Sequence, residues 1–224
     1  MKKFAWPEQQ NYSAFPIARP GYSFIFASTF VTAILAIIGF KISALIFLGI
    51  TIFICFFFRD PDRVCPVTDK GLISPADGKV VFAGNVDSNP YHEGSGACQK
   101  VSVFMSVFNV HVNRIPFDGV VKSIEYFPGK FFNASLDKAS TDNERNAVTV
   151  ETADGKVYTF VQIAGLIARR IICGIKVGDS VSRGTRYGMI CFGSRLDIYL
   201  PADAKIKVSK GEKVKAGFTV IADL

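Results

Sequence analysis

The strongest pattern in the chain is a break between one long apolar run and a following region of short alternating segments. From Phe24 to Phe58, 35 residues carry a single charge, Lys41. As one helix that run would be roughly 50 Å long, far more than the roughly 30 Å hydrocarbon core of a bilayer. Two helices fit better, about Phe24–Phe40 and Ile42–Phe58, with Gly39-Phe40-Lys41 as the turn. Each is at the short end of a spanning length, so a spanning hairpin and a re-entrant pair are both open. Lys2, Lys3 and Arg19 precede the run and Arg59 and Arg63 follow it. Positive charge on both flanks predicts that both ends lie in the cytoplasm. A cleaved signal peptide is disfavoured, because the run is too long, starts too late and lacks a small-residue cleavage site.

After Arg59 the period changes. Lys79–Ala83, Lys100–Ser106, Gly119–Glu125, Ala147–Glu151 and Val157–Val161 are short and rich in β-branched residues, and Gly, Pro, Asn or Asp separates them. They read as strands. Lys130–Ala139 has room for a short helical turn. Ala164–Cys173 reads equally as a helix or a buried strand. Gly178-Asp-Ser-Val-Ser-Arg-Gly184 and Gly211-Glu-Lys-Val-Lys-Ala-Gly217 share the pattern G-[DE]-x-V-x-x-G, 33 residues apart. Each reads as a strand entering a tight glycine turn and leaving as another strand. Paired turns of this kind occur in barrel-sandwich folds of the biotinyl/lipoyl type, although Lys210 and Lys213 lack a Met-Lys-Met tip to carry biotin. The expected architecture is therefore mainly β (α+β). It has a cytoplasmic segment over 1–23, a membrane hairpin over 24–58 and a barrel-sandwich-like β domain over 59–224.

Composition narrows the function classes. The 224 residues are 49% apolar and 20% charged, with 26 Lys+Arg against 19 Asp+Glu, a formal charge of +7. Mean hydropathy is +0.28, high for a domain that lives wholly in water. No extended basic block and no Cys/His finger spacing occur, so the charge points away from nucleic acid and towards an anionic membrane surface. Five cysteines, an odd number with no C-x-x-C pair, argue against a disulfide framework and structural zinc. Two histidines, His92 and His111, exclude a multi-histidine metal site within one chain.

Few residues are left to carry chemistry. His111 lies among strand formers in Phe108–Pro116 and is the better acid/base candidate; His92 sits in a polar glycine-rich loop. Gly193-Ser194 lies between two apolar strands, Tyr187–Phe192 and Leu196–Leu200. Glycine shields its carbonyl little, and Ser194 Oγ is placed to attack it, as an N→O acyl shift requires. A plain turn or bulge is the ordinary role of such a step. The pattern G-x-S-x-G is absent, which disfavours a conventional serine hydrolase. Asp77 precedes a strand in Ser74–Val80, where an Asp-Gly hairpin turn is the ordinary role, as at Asp154-Gly155. Asn143-Glu-Arg-Asn146 reads as a polar loop with local ion pairing. Arg169 and Arg170, closing the apolar run from Gln162, suit a phosphate or lipid headgroup.

Taken together and in order, six segments resemble the short bacterial type of phosphatidylserine decarboxylase. They are Phe58–Arg63, Ser74–Val80, His111–Pro116, Asn143–Asn146, Gln162–Arg170 and Phe192–Pro201. The likeness runs over almost the whole chain after Arg59. It implies a proenzyme that cuts itself between Gly193 and Ser194 into a β chain, 1–193, and an α chain, 194–224. Ser194 would attack the Gly193 carbonyl to give an ester, and β-elimination would free the β chain. Hydrolysis of the resulting dehydroalanine would leave a pyruvoyl group and ammonia. The resemblance further implies decarboxylation of phosphatidylserine to phosphatidylethanolamine through a Schiff base with that pyruvoyl cofactor, without metal or pyridoxal phosphate. The enzyme would sit at the cell membrane with its catalytic domain on the cytoplasmic side. Its partners would be phosphatidylserine, the bilayer and its own second chain, with no nucleic acid; a homo-oligomer stays open.

One departure from the family pattern matters. Longer relatives carry His-x-x-His-x-Pro, whereas this chain has His111-x-x-Arg114-x-Pro116. Arginine stays charged and accepts protons poorly. Either His111 serves both maturation and decarboxylation, or Asp77 and a water replace the missing relay. The favoured assignment is His111 as general acid/base, with Asp77 orienting it or assisting Ser194. Arg114, Asn143, Arg145, Arg169 and Arg170 are the candidates for substrate binding. Two alternatives stand beside this reading: a membrane-anchored barrel-sandwich adaptor without enzymatic activity, and the same chemistry on an archaeal-type phosphoserine lipid.

Overall fold

The computed structural model describes residues 16–92, 94–132, 134, 139–166, 170–191 and 193–224. The described residues divide into two units, with the boundary between Asp62 and Arg63.

The first unit is a pair of helices, α1 (Tyr22–Ile37) and α2 (Lys41–Phe57), within one to three residues of the predicted ends. Arg19–Ile37 is helical, 19 residues long and apolar enough to cross a membrane; Lys41–Phe57 is apolar and shorter. The unit is built inside out. Phe26, Ile37, Ile42 and Leu45 face outward, while the buried seam between the helices joins Ser28 and Thr51 hydroxyls at 2.6 Å. Both hydroxyl residues have company on the helices themselves. Thr51 Oγ1 also donates to the Phe47 carbonyl, and Thr32 Oγ1 to that of Ser28. Ser28 and Thr51 turned inward, with large apolar side chains outward, suit a surround poor in hydrogen bonds.

The second unit is mainly β. Among its described residues the elements are β1 (Gly71–Ile73), β2 (Gly78–Val86), β3 (Cys98–Met105), β4 (Val112–Arg114), β5 (Gly119–Phe127), α3 (Ala139–Asp142), β6 (Arg145–Glu151), β7 (Val157–Ala164), β8 (Ile171–Cys173), β9 (Ser180–Val181), β10 (Arg186–Ile190), β11 (Ser194–Leu200), β12 (Lys205–Ile206), β13 (Lys213–Val214) and β14 (Val220–Asp223). The five predicted strands are β2, β3, β5, β6 and β7. They join an antiparallel sheet of eight in the order β13-β2-β3-β11-β7-β6-β5-β9. Two three-stranded sheets, β1-β14-β12 and β4-β10-β8, complete the unit.

β11 is central and buried throughout. Alternation assigns its two faces. Leu196, Ile198 and Leu200 join Val101, Val103, Met105, Tyr158 and Phe160 in the main core. Arg195, Asp197 and Tyr199 point the other way. There Asp197 accepts Arg195 Nε at 2.6 Å and pairs with Lys100 at 3.0 Å. Burial opposes that charge, but Arg195 and Lys100 hold the carboxyl below the usual carboxylate range.

The glycine echo marks an internal repeat. Each segment holds a two-residue strand, β9 or β13, between glycines at positive φ: Gly178 and Gly184, then Gly211 and Gly217. These strands close opposite edges of the large sheet. The bonding repeats as well. Gly178 N–H donates to the Val121 carbonyl and Val121 N–H to that of Asp179, just as Gly211 and Glu212 are bonded to Val80. A second echo, Pro-x-Asp-Gly, supplies the other half of each copy. Asp77 accepts Ala216 N–H at 2.7 Å and Asp118 accepts Arg183 N–H at 2.7 Å.

Three local expectations change. Asp77-Gly78 is not a hairpin turn, because β1 and β2 lie in different sheets and Asp77 is drawn to the distant Ala216 instead. Asp154-Gly155 is one, between the paired β6 and β7. The described short helix is Ala139–Asp142, which meets the expected Lys130–Ala139 segment only at Ala139; residues 133 and 135–138 of that segment lie outside the described residues. Ala164–Cys173 is neither one helix nor one strand: β7 ends at Ala164 and β8 begins at Ile171.

Candidate active site

Ser194 is the first residue of β11, paired with Met105 of β3 and Ala164 of β7. Its side chain faces the core with Leu196 and Ile198, and the residue is fully buried. Its Oγ is one of three buried side-chain polar atoms without a hydrogen-bond partner among the described residues. A buried hydroxyl left unpaired costs about 1–3 kcal/mol and calls for a reason. Retention as a nucleophile is such a reason. Gly193, before it, adopts φ +71, in the left-handed region where glycine is the natural occupant.

His111 stands beside that peptide. Its Nδ1 lies 2.9 Å from the Asn109 carbonyl, and Gly193 N–H points at its Nε2 from 3.3 Å. A carbonyl only accepts, so Nδ1 carries the proton and the Nε2 lone pair accepts the N–H of Gly193, the residue before Ser194. The histidine is wholly buried. The sequence-predicted His111 and Ser194 thus both adjoin Gly193, one through its N–H and the other as the next residue.

Asp77 is engaged on both oxygens. Oδ2 accepts Arg63 at 2.9 Å and Oδ1 accepts Ala216 N–H. Its turn reaches β4, where Arg114 N–H donates to the Pro75 carbonyl. Arg114 is buried and its guanidinium donates to the Gly184 carbonyl at 2.9 Å. Its stem lies over Gly217, where an added Cβ would come within 2.7 Å of Arg114 Cδ. Arg114 thus ties together the closing glycines of the two repeats.

The other candidates scatter. Asn143 is fully buried and spends its amide on backbone: Phe132 N–H, the Phe132 carbonyl and the Ala164 carbonyl. Arg145 sits in the same cross-strand row as Arg195, on the face of the sheet opposite Ser194. It donates to the Thr141 and Asn143 carbonyls and stacks 4.6 Å over Phe127. Arg145, Arg195 and Lys100 line a cavity of 410 Å³ on that face. Arg170 is exposed, and its carbonyl accepts Cys191 N–H. Arg169 lies outside the described residues, as does Phe192.

Two features escaped the reading of the sequence. A belt of amides runs beneath the site. Asn146 donates to Gln162, Gln162 donates to Asn113 at 2.9 Å, and Asn113 donates to the sulfur of Met105, the neighbour of Ser194. Its signal was a polar residue at a core-facing position of an otherwise apolar strand, Gln162 in β7. The second is Gly165, packed against the Gly193 carbonyl. Cys191, close by in sequence, is no rival nucleophile: burial pushes its thiol up to about 11, so it stays protonated near neutrality. Among the described residues no three His, Cys, Asp or Glu side chains cluster as a metal ion would need.

Residues 50–222 match the family model of phosphatidylserine decarboxylase. A protein of Cupriavidus metallidurans is 52% identical over 217 residues, covering 96% of this chain and 98% of its own. One of Syntrophus aciditrophicus is 52% identical over 204 residues, 90% of this chain and 94% of its own. One of Geotalea uraniireducens is 46% identical over 209 residues, 93% and 97% respectively. All three carry the name phosphatidylserine decarboxylase proenzyme.

Proposed function

The chain belongs to the phosphatidylserine decarboxylase family, and from that premise we propose that it converts phosphatidylserine to phosphatidylethanolamine after cutting itself between Gly193 and Ser194. The observation that carries the reading is the buried Ser194 Oγ, without a hydrogen-bond partner among the described residues, directly after a glycine whose N–H is held by His111. The relatives' name, a decarboxylase proenzyme, favours this over a non-enzymatic adaptor.

In maturation, Ser194 Oγ attacks the Gly193 carbonyl carbon. A C–O bond forms, the C–N bond breaks, and the proton released from Oγ ends on the Ser194 nitrogen. His111, whose Nε2 lies at Gly193, is the base assigned to carry it. Removal of the Ser194 Cα proton then expels the Gly193 carboxylate, and water releases ammonia. The chain present here fits the group so made, because position 194 is fully buried, paired with Met105 and Ala164 and facing the core. A pyruvoyl group at 194 supplies a carbonyl through which the electron pair left by departing CO2 is delocalised. His111 stays within reach to return a proton to the product carbon.

Asp77 acts one step back. It holds the turn whose Pro75 carbonyl bonds Arg114 N–H, and so anchors the strand that follows His111. Of the described arginines, exposed Arg170 is the one we assign to the anionic headgroup. The helix pair is assigned to the bilayer, supported by its outward apolar side chains, with the β unit on the cytoplasmic side, supported by Arg19 and Arg59 at its ends. The two Pro-x-Asp-Gly and glycine-turn copies support a barrel-sandwich reading of that unit. The test is phosphatidylserine turnover by purified protein in mixed micelles. Ser194→Ala abolishes both cutting and CO2 release; release retained by that variant rejects the assignment.

A further inference from the structure

Gly165 follows β7 directly. A Cβ added there would lie 2.3 Å from the Gly193 oxygen and 3.0 Å from its carbonyl carbon. Both are backbone atoms, which cannot swing aside as a side chain end would. Gly165 is not among the glycines at positive φ. Conformation therefore does not require glycine at 165; the space taken by the Gly193 carbonyl does.

Nor can Gly165 withdraw. The preceding residue is held at both ends of its backbone: Ala164 N–H donates to the Glu144 carbonyl at 2.9 Å, and its carbonyl accepts Asn143 Nδ2 at 2.7 Å. Asn143 is itself clamped to Phe132 N–H and carbonyl at 2.9 and 2.8 Å. Resting on the self-cleavage reading above, we propose that Gly165, braced by Asn143, is a positioning residue for that cleavage: it seats the carbonyl oxygen of the scissile peptide. During attack the electron pair of the C=O bond moves onto that oxygen, then returns as the C–N bond breaks. A bare Cα fixes where the oxygen sits and leaves it room as the carbon becomes tetrahedral. Misplacement by about 1 Å at such a centre costs about a hundredfold in rate. Asn143 thereby acquires a role in maturation rather than in substrate binding.

The test uses the full chain in detergent, followed by gel and intact mass, with and without hydroxylamine, which cuts an ester at Gly193. Gly165→Ala is expected to accumulate uncut chain, with cleavage slowed about a hundredfold and no hydroxylamine-sensitive bond, while melting close to uncut Ser194→Ala. Cleavage at the parent rate, or an ester that hydroxylamine opens, overturns the proposal. Should Gly165→Ala fail to fold, Asn143→Ser decides: slowed cleavage without trapped ester supports the brace, and the parent rate overturns it. The unsubstituted chain separates the two levels. If it never cuts, the self-cleavage reading falls. If it cuts and Gly165→Ala cuts equally fast, only the role of Gly165 falls.

Discussion

His111 Nε2 accepts the N–H of Gly193 at 3.3 Å. This contact puts the buried histidine at the residue whose carbonyl Ser194 must attack. It also gives the imidazole a task before any substrate arrives. His111→Ala should slow self-cleavage by about 10²–10⁴, the usual worth of a positioned acid/base group. A time course of the 224-residue chain on a denaturing gel measures this. Maturation at the parent rate removes His111 from the mechanism.

The internal repeat offers a control for Asp77. Asp118 braces the equivalent turn through Arg183 N–H, but Asp77 also pairs with Arg63. Asp77→Asn keeps an acceptor for Ala216 N–H and loses the ion pair. Asp77→Asn is expected to slow cleavage, whereas Asp118→Asn leaves it unchanged. Equal rates for both variants would remove the Arg63 pair from any part in cleavage.

Asp197 makes a prediction about stability. Its carboxyl is buried and held low by Arg195 and Lys100. A lowered folded value stabilises the fold fully above the unfolded value of about 3.9, and that contribution is lost as pH falls through the lower folded value. Asp197→Asn removes the buried carboxylate that pairs with both Arg195 and Lys100 and should cost about 3–5 kcal/mol near neutrality. Thermal melts of uncut Ser194→Ala, with and without Asp197→Asn, measure both. A neutral-pH melting point unmoved by Asp197→Asn contradicts the account.

Cys191 should be silent. With its thiol pushed up to about 11 by burial, it stays protonated at pH 8 and resists alkylation in the native chain. Cys191→Ser should cut at the parent rate. Mass mapping after iodoacetamide treatment checks the first point, and rapid labelling of Cys191 would contradict it.

Much of this was legible in the sequence because local pattern and tertiary role agreed. The apolar run and its turn at Gly39-Phe40-Lys41 predict α1 and α2, and alternation predicts β2, β3, β5, β6 and β7. The glycine echo also had a counterpart in three dimensions, although only the structure reveals that its two copies close opposite sheet edges. What stayed hidden was set by distant contact. Asp77-Gly78 looks like Asp154-Gly155 in sequence, yet Ala216, far along the chain, decides what its carboxylate does. Asn143 and Arg145 read as a solvated loop, but each is absorbed by backbone carbonyls that no local rule brings close. Gly165 carried no local signal, since the atoms that demand a glycine there belong to residue 193.

The central claim is that Ser194 turns itself into a carbonyl. Intact mass of the purified, unsubstituted protein tests it most directly. The account predicts two chains, residues 1–193 and 194–224 of the 224. The shorter one should weigh less than its plain peptide by the mass of one ammonia, and borohydride should add two hydrogens to it. An active preparation consisting of a single uncut chain, or a short chain that begins with an ordinary serine, would contradict it.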